Sequence, residues 1–145
     1  MDYASQVLNC SGRMAATVSG WVDARRRSLI TVQCGDNNEA ITAWVDTGFN
    51  GALLFEATRS NLEQLPVRLT RLYGMVEVVG GSTVSAFGRT TISWLGERVE
   101  VESVVALTDK HHGRGDPIAF VGTALLSGST LAIDFLNGVV RIDHA

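Results

Sequence analysis

Ile41-Thr42-Ala43-Trp44-Val45-Asp46-Thr47-Gly48-Phe49-Asn50-Gly51 is an apolar strand that runs straight into a carboxylate. Ile41, Ala43 and Val45 alternate with Thr42, Trp44 and Asp46, the period-two pattern of a half-buried strand, and the glycines that follow mark a turn. A strand this apolar keeps its charges at its ends or pairs them, because an ionised carboxylate without partners costs several kcal/mol or changes its protonation. Asp46 therefore needs a chemical reason to stand where it does.

Working outward, nearly every segment reads as strand or turn. Residues 1 to 12 form a leader outside the domain, which spans 13 to 145. Met14 to Ala24 and Ser28 to Cys34 carry β-branched residues and predict a hairpin across Arg25-Arg26-Arg27. Gly35-Asp36-Asn37-Asn38 then turns the chain into the Asp46 strand. Beyond Asp46, Ala52 to Phe55 suits a buried strand, and Ala57 to Leu65 is weakly helical up to Pro66. Tyr73 to Val79 and Thr83 to Ile92 flank the glycine tip Gly80-Gly81-Ser82. Arg98 to Leu107 alternates again. After a polar loop, Ile118 to Val121 predicts a short strand that ends at Gly122, followed by one short helical patch to Leu126 and a glycine stop at Gly128. Thr130 to Phe135 and Val139 to Ile142 predict a last hairpin with an Asn137-Gly138 tip.

Composition narrows the function classes. The 145 residues make one domain, large enough to bury a core without staples. A net charge of -3, with eleven arginines scattered apart from the trio, argues against nucleic acid as a partner. The trio itself reads as a solvated turn, with phosphate binding the lesser alternative. Cys10 and Cys34 are too few for a disulfide scaffold or a zinc site and are expected to be free thiols. His111 and His112 sit in a loop with no completing ligands, so no metal and no cofactor are expected. The first residues lack a basic start and an apolar core, and no apolar run nears the roughly 20 residues of a membrane span. The expectation is a cytoplasmic protein with no membrane partner. Gly-x-Ser-x-Gly, the phosphate-binding glycine loop and His-Glu-x-x-His do not occur.

An apolar strand ending in Asp46-Thr47-Gly48 resembles the active-site turn of aspartic proteases, and Phe49-Asn50-Gly51 after it is similar to the microbial single-domain, retropepsin-like members. Three further signals follow in the family's order: a glycine-tipped flap at Gly80-Gly81, Phe120-Val121-Gly122 leading into a short helix from Thr123, and a terminal hairpin. The resemblance implies an all-β, retropepsin-like acid-protease barrel with one short helix near the C-terminus. It also implies an aspartic endopeptidase with Asp46, Thr47 and Gly48 as catalytic turn, and Gly80, Gly81, Ser82, Phe49, Asn50 and Val121 against the substrate. Retroviral members carry acids soon after the Asp-Thr-Gly and a basic residue after the later glycine. Phe49-Asn50-Gly51 and Thr123 depart from that pattern, so the brace those charges make is not expected here.

Peptide hydrolysis by water needs a base for the water and an acid for the leaving amine, roles that two carboxylates sharing one proton fill in turn. Like charges about 3 Å apart do not both ionise, behaviour for which the aspartic-protease pair is the standing example. This chain holds one Asp-Thr-Gly and no Asp-Ser-Gly. The resemblance therefore implies a homodimer in which each copy supplies Asp46, with Thr47 bridging the two turns and an extended peptide as substrate. The alternative is a dimer that keeps the fold as a binding or assembly module and cleaves nothing.

Overall fold

Runs of alternating apolar residues make strands throughout, because one face of each has to leave water. The computed structural model describes residues 17–78, 81–108 and 116–145. Within them lie β1 (Val18–Val22), β2 (Ser28–Cys34), β3 (Glu39–Val45), β4 (Leu53–Ala57), β5 (Arg68–Val78), β6 (Gly81–Trp94), β7 (Glu97–Leu107), β8 (Ala119–Val121), β9 (Ser129–Asp134) and β10 (Val139–His144). A 3-10 turn at Arg59–Gln64 and one short helix, α1 (Thr123–Leu126), complete the described elements.

All ten strands share one sheet in the order β5-β6-β7-β4-β8-β3-β2-β1-β10-β9. β6 also pairs β2, with Gln33 opposite Ser93 and Cys34 opposite Ile92, so the sheet closes on itself as a six-stranded barrel, β2-β3-β8-β4-β7-β6. This is the all-β closed sheet expected of the sequence. Ile30, Val32, Ala43, Val45, Phe55, Ile92 and Val105 point inward and are buried. At about 0.8 kcal/mol per buried methylene, this shared interior is what holds the strands together.

Two features of the topology position the site. β8 lies between β3 and β4, parallel to the first, with Val45 opposite Val121, and antiparallel to the second, with Leu53 opposite Val121. The chain between β3 and β4, including Asp46, is thereby pinned on both sides. Second, β6 pairs β7 only from Ser85 onward, while Gly81 to Val84 pair β5 alone. β5 and β6 thus run on past the barrel as a two-stranded arm.

Several expectations change in detail. Ala57 stays in β4, and the weak helix is a single 3-10 turn, Arg59–Gln64, because Pro66 stops it before an α-helix is established. Gly81 and Ser82 are the first residues of β6 rather than a tip, Val78 standing opposite Gly81; Gly80 lies outside the described residues. The final turn holds four residues, with Asp134 opposite Val139. Asp134 Oδ1 accepts the N–H groups of Leu136 and Asn137 at 3.0 Å each, and Gly138 adopts φ +69°. β10 pairs β1 on one side and β9 on the other, leaving β9 outermost at that end of the sheet among the described residues. The leader, Cys10 and the His111-His112 pair fall outside the described residues. No described helix is long and apolar enough to cross a membrane.

Cys34 is 2 % exposed, and burial, followed by the nearby Glu39 charge, pushes its thiol up to about 12 against the opposing pull of Arg98. Since the thiolate is the nucleophile, Cys34 is expected to resist alkylation at neutral pH until the barrel opens. In a Cys10→Ser variant, iodoacetamide labelling should follow the global unfolding rate; labelling within minutes of mixing under native conditions would contradict this.

Candidate active site

Val45, the last residue of β3, is buried, and strand alternation therefore turns Asp46 to the outer side of the barrel, where it is half-buried. Its backbone N–H extends the β3–β8 ladder, donating to the Val121 carbonyl at 2.9 Å. The chain reverses at once: Phe49 N–H donates to the Asp46 carbonyl at 3.2 Å, and Gly48 N–H donates to Asp46 Oδ1 at 2.9 Å. One carboxylate oxygen is thus fixed by the turn that follows it. A Cβ on Gly48 would sit 3.3 Å from that same Oδ1, a tight fit that glycine avoids.

The far side of the turn is tied to the start of α1. Thr123 N–H donates to the Phe49 carbonyl at 2.8 Å, its hydroxyl donates to the same oxygen at 3.3 Å, and Ala124 N–H reaches the Gly51 carbonyl at 3.2 Å. Gly122 N–H donates to the Ala52 carbonyl at 3.0 Å. Gly122 has no room for a side chain, because a Cβ would lie 2.3 Å from the Gly51 oxygen and 2.5 Å from the Phe49 oxygen, both backbone atoms. Thr123 occupies the place where the retroviral pattern puts a basic residue, and it holds the turn through its own hydrogen bonds.

The sequence-predicted residues separate into groups. Asp46, Thr47, Gly48, Phe49 and Asn50 form one turn, in which Thr47, Gly48 and Asn50 are exposed. The Phe49 ring packs over Gly51 and Gly122, within 2.5 Å of where either Cβ would be. The substrate contact expected of Val121 is corrected: its side chain is fully buried, and its contribution is the carbonyl that holds Asp46. In a strand a shift of one residue changes the face, so the outward neighbour is Phe120. Gly81 and Ser82 lie in the arm, in β6.

Phe120 leads to residues that sequence reasoning passed over. It stacks on Trp44, centroids 5.8 Å apart, and Trp44 shares the Asp46 face of β3. Arg27 lies over the other part of this cluster, its guanidinium 5.6 Å from the Trp44 ring. Arg27 Nε donates to Asp23 at 2.7 Å and its Nη2 to Asp116 at 3.4 Å, so this member of the arginine trio is held, not solvated. Partial burial works to raise the Asp23 carboxyl, but the Arg27 backbone and guanidinium hydrogen bonds outweigh it and leave it below the usual carboxylate range. A lowered carboxyl stabilises the turn above its unfolded value, and that contribution is lost as acid brings the pH down through the folded value. The signal that would have found Arg27 is Asp23 four residues before it. No group of three or more possible metal ligands occurs among the described residues.

No family model matches the sequence, and no curated protein matches it. Solved structures do. The crystal structure of a retropepsin-like aspartic protease from Rickettsia conorii is 18% identical, covering 90% of this chain and 92% of that one, with a TM-score of 0.58. EIAV protease in complex with the inhibitor HBY-793 is 20% identical over 72% of this chain and 88% of that one, with a TM-score of 0.50. The chain has the retropepsin-like fold. At these identities the likeness is one of architecture, and chemistry has to be argued from the Asp46 turn itself.

Proposed function

We propose that this retropepsin-like chain is an aspartic endopeptidase that works as a homodimer, each copy presenting Asp46 to a shared water. The observation that carries the proposal is the Asp46 carboxylate, raised out of an apolar strand and held at Oδ1 by the Gly48 N–H with the turn braced from both sides. Asp134 makes the same kind of turn at 3.0 Å; what sets Asp46 apart is that its turn closes an apolar strand and is tied to the start of α1 by the Thr123 and Ala124 N–H groups. In the proposed reaction the water oxygen bonds to the peptide carbonyl carbon while one carboxylate takes its proton. The other carboxylate protonates the carbonyl oxygen, and collapse of the tetrahedral species breaks the C–N bond as the amine receives a proton. No metal or cofactor is called for.

The arm of β5 and β6 would act as the flap, with Gly80, Gly81 and Ser82 near its end holding an extended peptide through backbone groups. Asn50, exposed in the Asp46 turn, and the neighbouring Phe49 would stand beside the bound peptide. Trp44 and Phe120, on the Asp46 face, would offer a flat aromatic wall to an apolar substrate side chain. The test is digestion of a mixed peptide library at mildly acid pH by the purified protein. Reproducible cut sites with apolar residues beside them are expected; an undigested library would favour the binding-module reading.

Thr47, exposed at the apex of the turn, would bridge to the partner's turn. Thr47→Val keeps the shape and deletes the hydroxyl, so dimer affinity should fall by about 1 to 3 kcal/mol. Sedimentation equilibrium on the two proteins measures this, and an unchanged dissociation constant would reduce Thr47 to a turn residue.

A further inference from the structure

Arg27 joins three parts of the chain beside the Asp46 strand, yet it has no part in the shared-water reaction. Asp23 aims it: Asp23 Oδ1 accepts the backbone N–H groups of Arg25 at 3.0 Å and Arg27 at 2.9 Å, which leaves Oδ2 for Arg27 Nε at 2.7 Å. With one edge of the guanidinium fixed there, Nη2 reaches across to Asp116 at 3.4 Å, and the central carbon lies 5.6 Å from the Trp44 ring centroid. The Arg27 side chain is only 15% exposed. A fork so shielded and laid on an aromatic ring holds its geometry far better than an ion pair in open water.

The contacts close into a ring. Asp116 stands four residues before Phe120, and the segment between them is stiff: Pro117 fixes its own φ, and the Glu56 N–H donates to the Ile118 carbonyl at 2.8 Å. Phe120 is opposite Trp44 in the β3–β8 ladder and stacks on it with the ring planes 29° apart. Trp44 lies under Arg27, which returns to Asp116. No hydrogen bond holds the Trp44 indole among the described residues, so its two planar neighbours set the tilt of its ring. Alternation puts Trp44 on the Asp46 face of β3, with Val45 between them turned inward.

We infer that Arg27 is a specificity-positioning residue: it clamps Trp44 and Phe120 into one flat surface, and that surface selects a peptide with an aromatic side chain next to the bond at Asp46. The inference rests on the endopeptidase reading and names the side chain that the site prefers. Aromatic rings lie against a flat wall with offset overlap, whereas a β-branched side chain meets it with few of its atoms. A wall free to tilt would wrap around either shape, so the clamp is what turns apolar contact into a choice between apolar groups.

The test uses the full chain with 5-fluorotryptophan at its three tryptophan positions, the Trp44 fluorine line being assigned through Trp44→Phe. The probes are two blocked pentapeptides of alanine, one with phenylalanine and one with valine at the centre. Each is titrated while the Trp44 line is followed, and the same pair is then assayed for cleavage. For the wild type, half-saturation at a concentration at least about tenfold lower for the phenylalanine peptide is expected. In Arg27→Met, which keeps the stem and loses the fork, the preference should fall to about twofold or less, with the Trp44 line broadened before any peptide is added. Arg27→Lys keeps the charge but not the planar fork and should behave in the same way; it also serves if Arg27→Met melts too low to be assayed. An undiminished preference in either folded variant would overturn the inference, as would a wild type that binds the two peptides equally or binds neither. Preference without cleavage in the wild type would sink the endopeptidase reading and leave the role of Arg27 standing; cleavage without preference would do the reverse.

Discussion

Asp46→Asn should leave a dimer that folds as the wild type does and hydrolyses at least about 10³-fold more slowly. Asparagine has nearly the same volume, and its Oδ1 still accepts the Gly48 N–H, so the turn keeps its geometry. In the proposed dimer the change also removes repulsion between the two apposed carboxylates, so stability should be equal or higher while activity disappears. Wild-type activity should follow a bell-shaped pH profile whose limbs belong to the pair of carboxylates, and both limbs should vanish in the variant. The decisive measurement is a tethered dimer with one wild-type copy and one Asp46→Asn copy. Near-complete loss of activity is expected, because a lone carboxylate does not serve as base and acid in the same turnover. Retention of about half the wild-type rate would mean one site per copy and would sink the shared-carboxylate mechanism.

Gly122→Ala is expected to be the most damaging single-methyl change in the chain's site region. Its Cβ would sit 2.3 Å from the Gly51 carbonyl oxygen and 2.5 Å from that of Phe49, and neither can yield without breaking the hydrogen bonds from Ala124 and Thr123 that brace the turn. Overpacking of this kind costs typically 1 to 3 kcal/mol, and more where backbone is the obstacle, so a loss of about 3 kcal/mol or more is expected in chemical denaturation. The molecules that remain folded should be inactive as well, since the strain is relieved by moving the Phe49 to Gly51 segment and with it Asp46. A variant within about 0.5 kcal/mol of wild type and fully active would show that the α1 junction does not position the turn.

What was legible in the sequence was local. Asp46-Thr47-Gly48 announces itself because a carboxylate at the end of an apolar alternation is costly wherever it occurs, and the glycine and Asn-Gly signals mark reversals through backbone chemistry alone. What was not legible depends on partners distant in the chain. Whether Val121 or Phe120 faces the Asp46 side is decided by how β8 enters between β3 and β4, and a three-residue apolar strand carries no alternation that tells its faces apart. Arg27 was legible only in part: Asp23, its closest partner, stands four residues before it, whereas Asp116 and Trp44 are remote in sequence.

The insertion of β8 between β3 and β4 also sets an order of events during folding. Thr123 and Phe49, which join hands at the turn, are 74 residues apart, and β3 and β4 are joined only through β8, which pairs each of them. Closing so long a loop is slow compared with forming the β1–β2–β3 meander, which needs only neighbouring residues. A nascent chain that has exposed Asp46 to solvent still lacks β8, whose Val121 carbonyl takes the Asp46 N–H, so the turn is unbraced until the end of the sequence is in place.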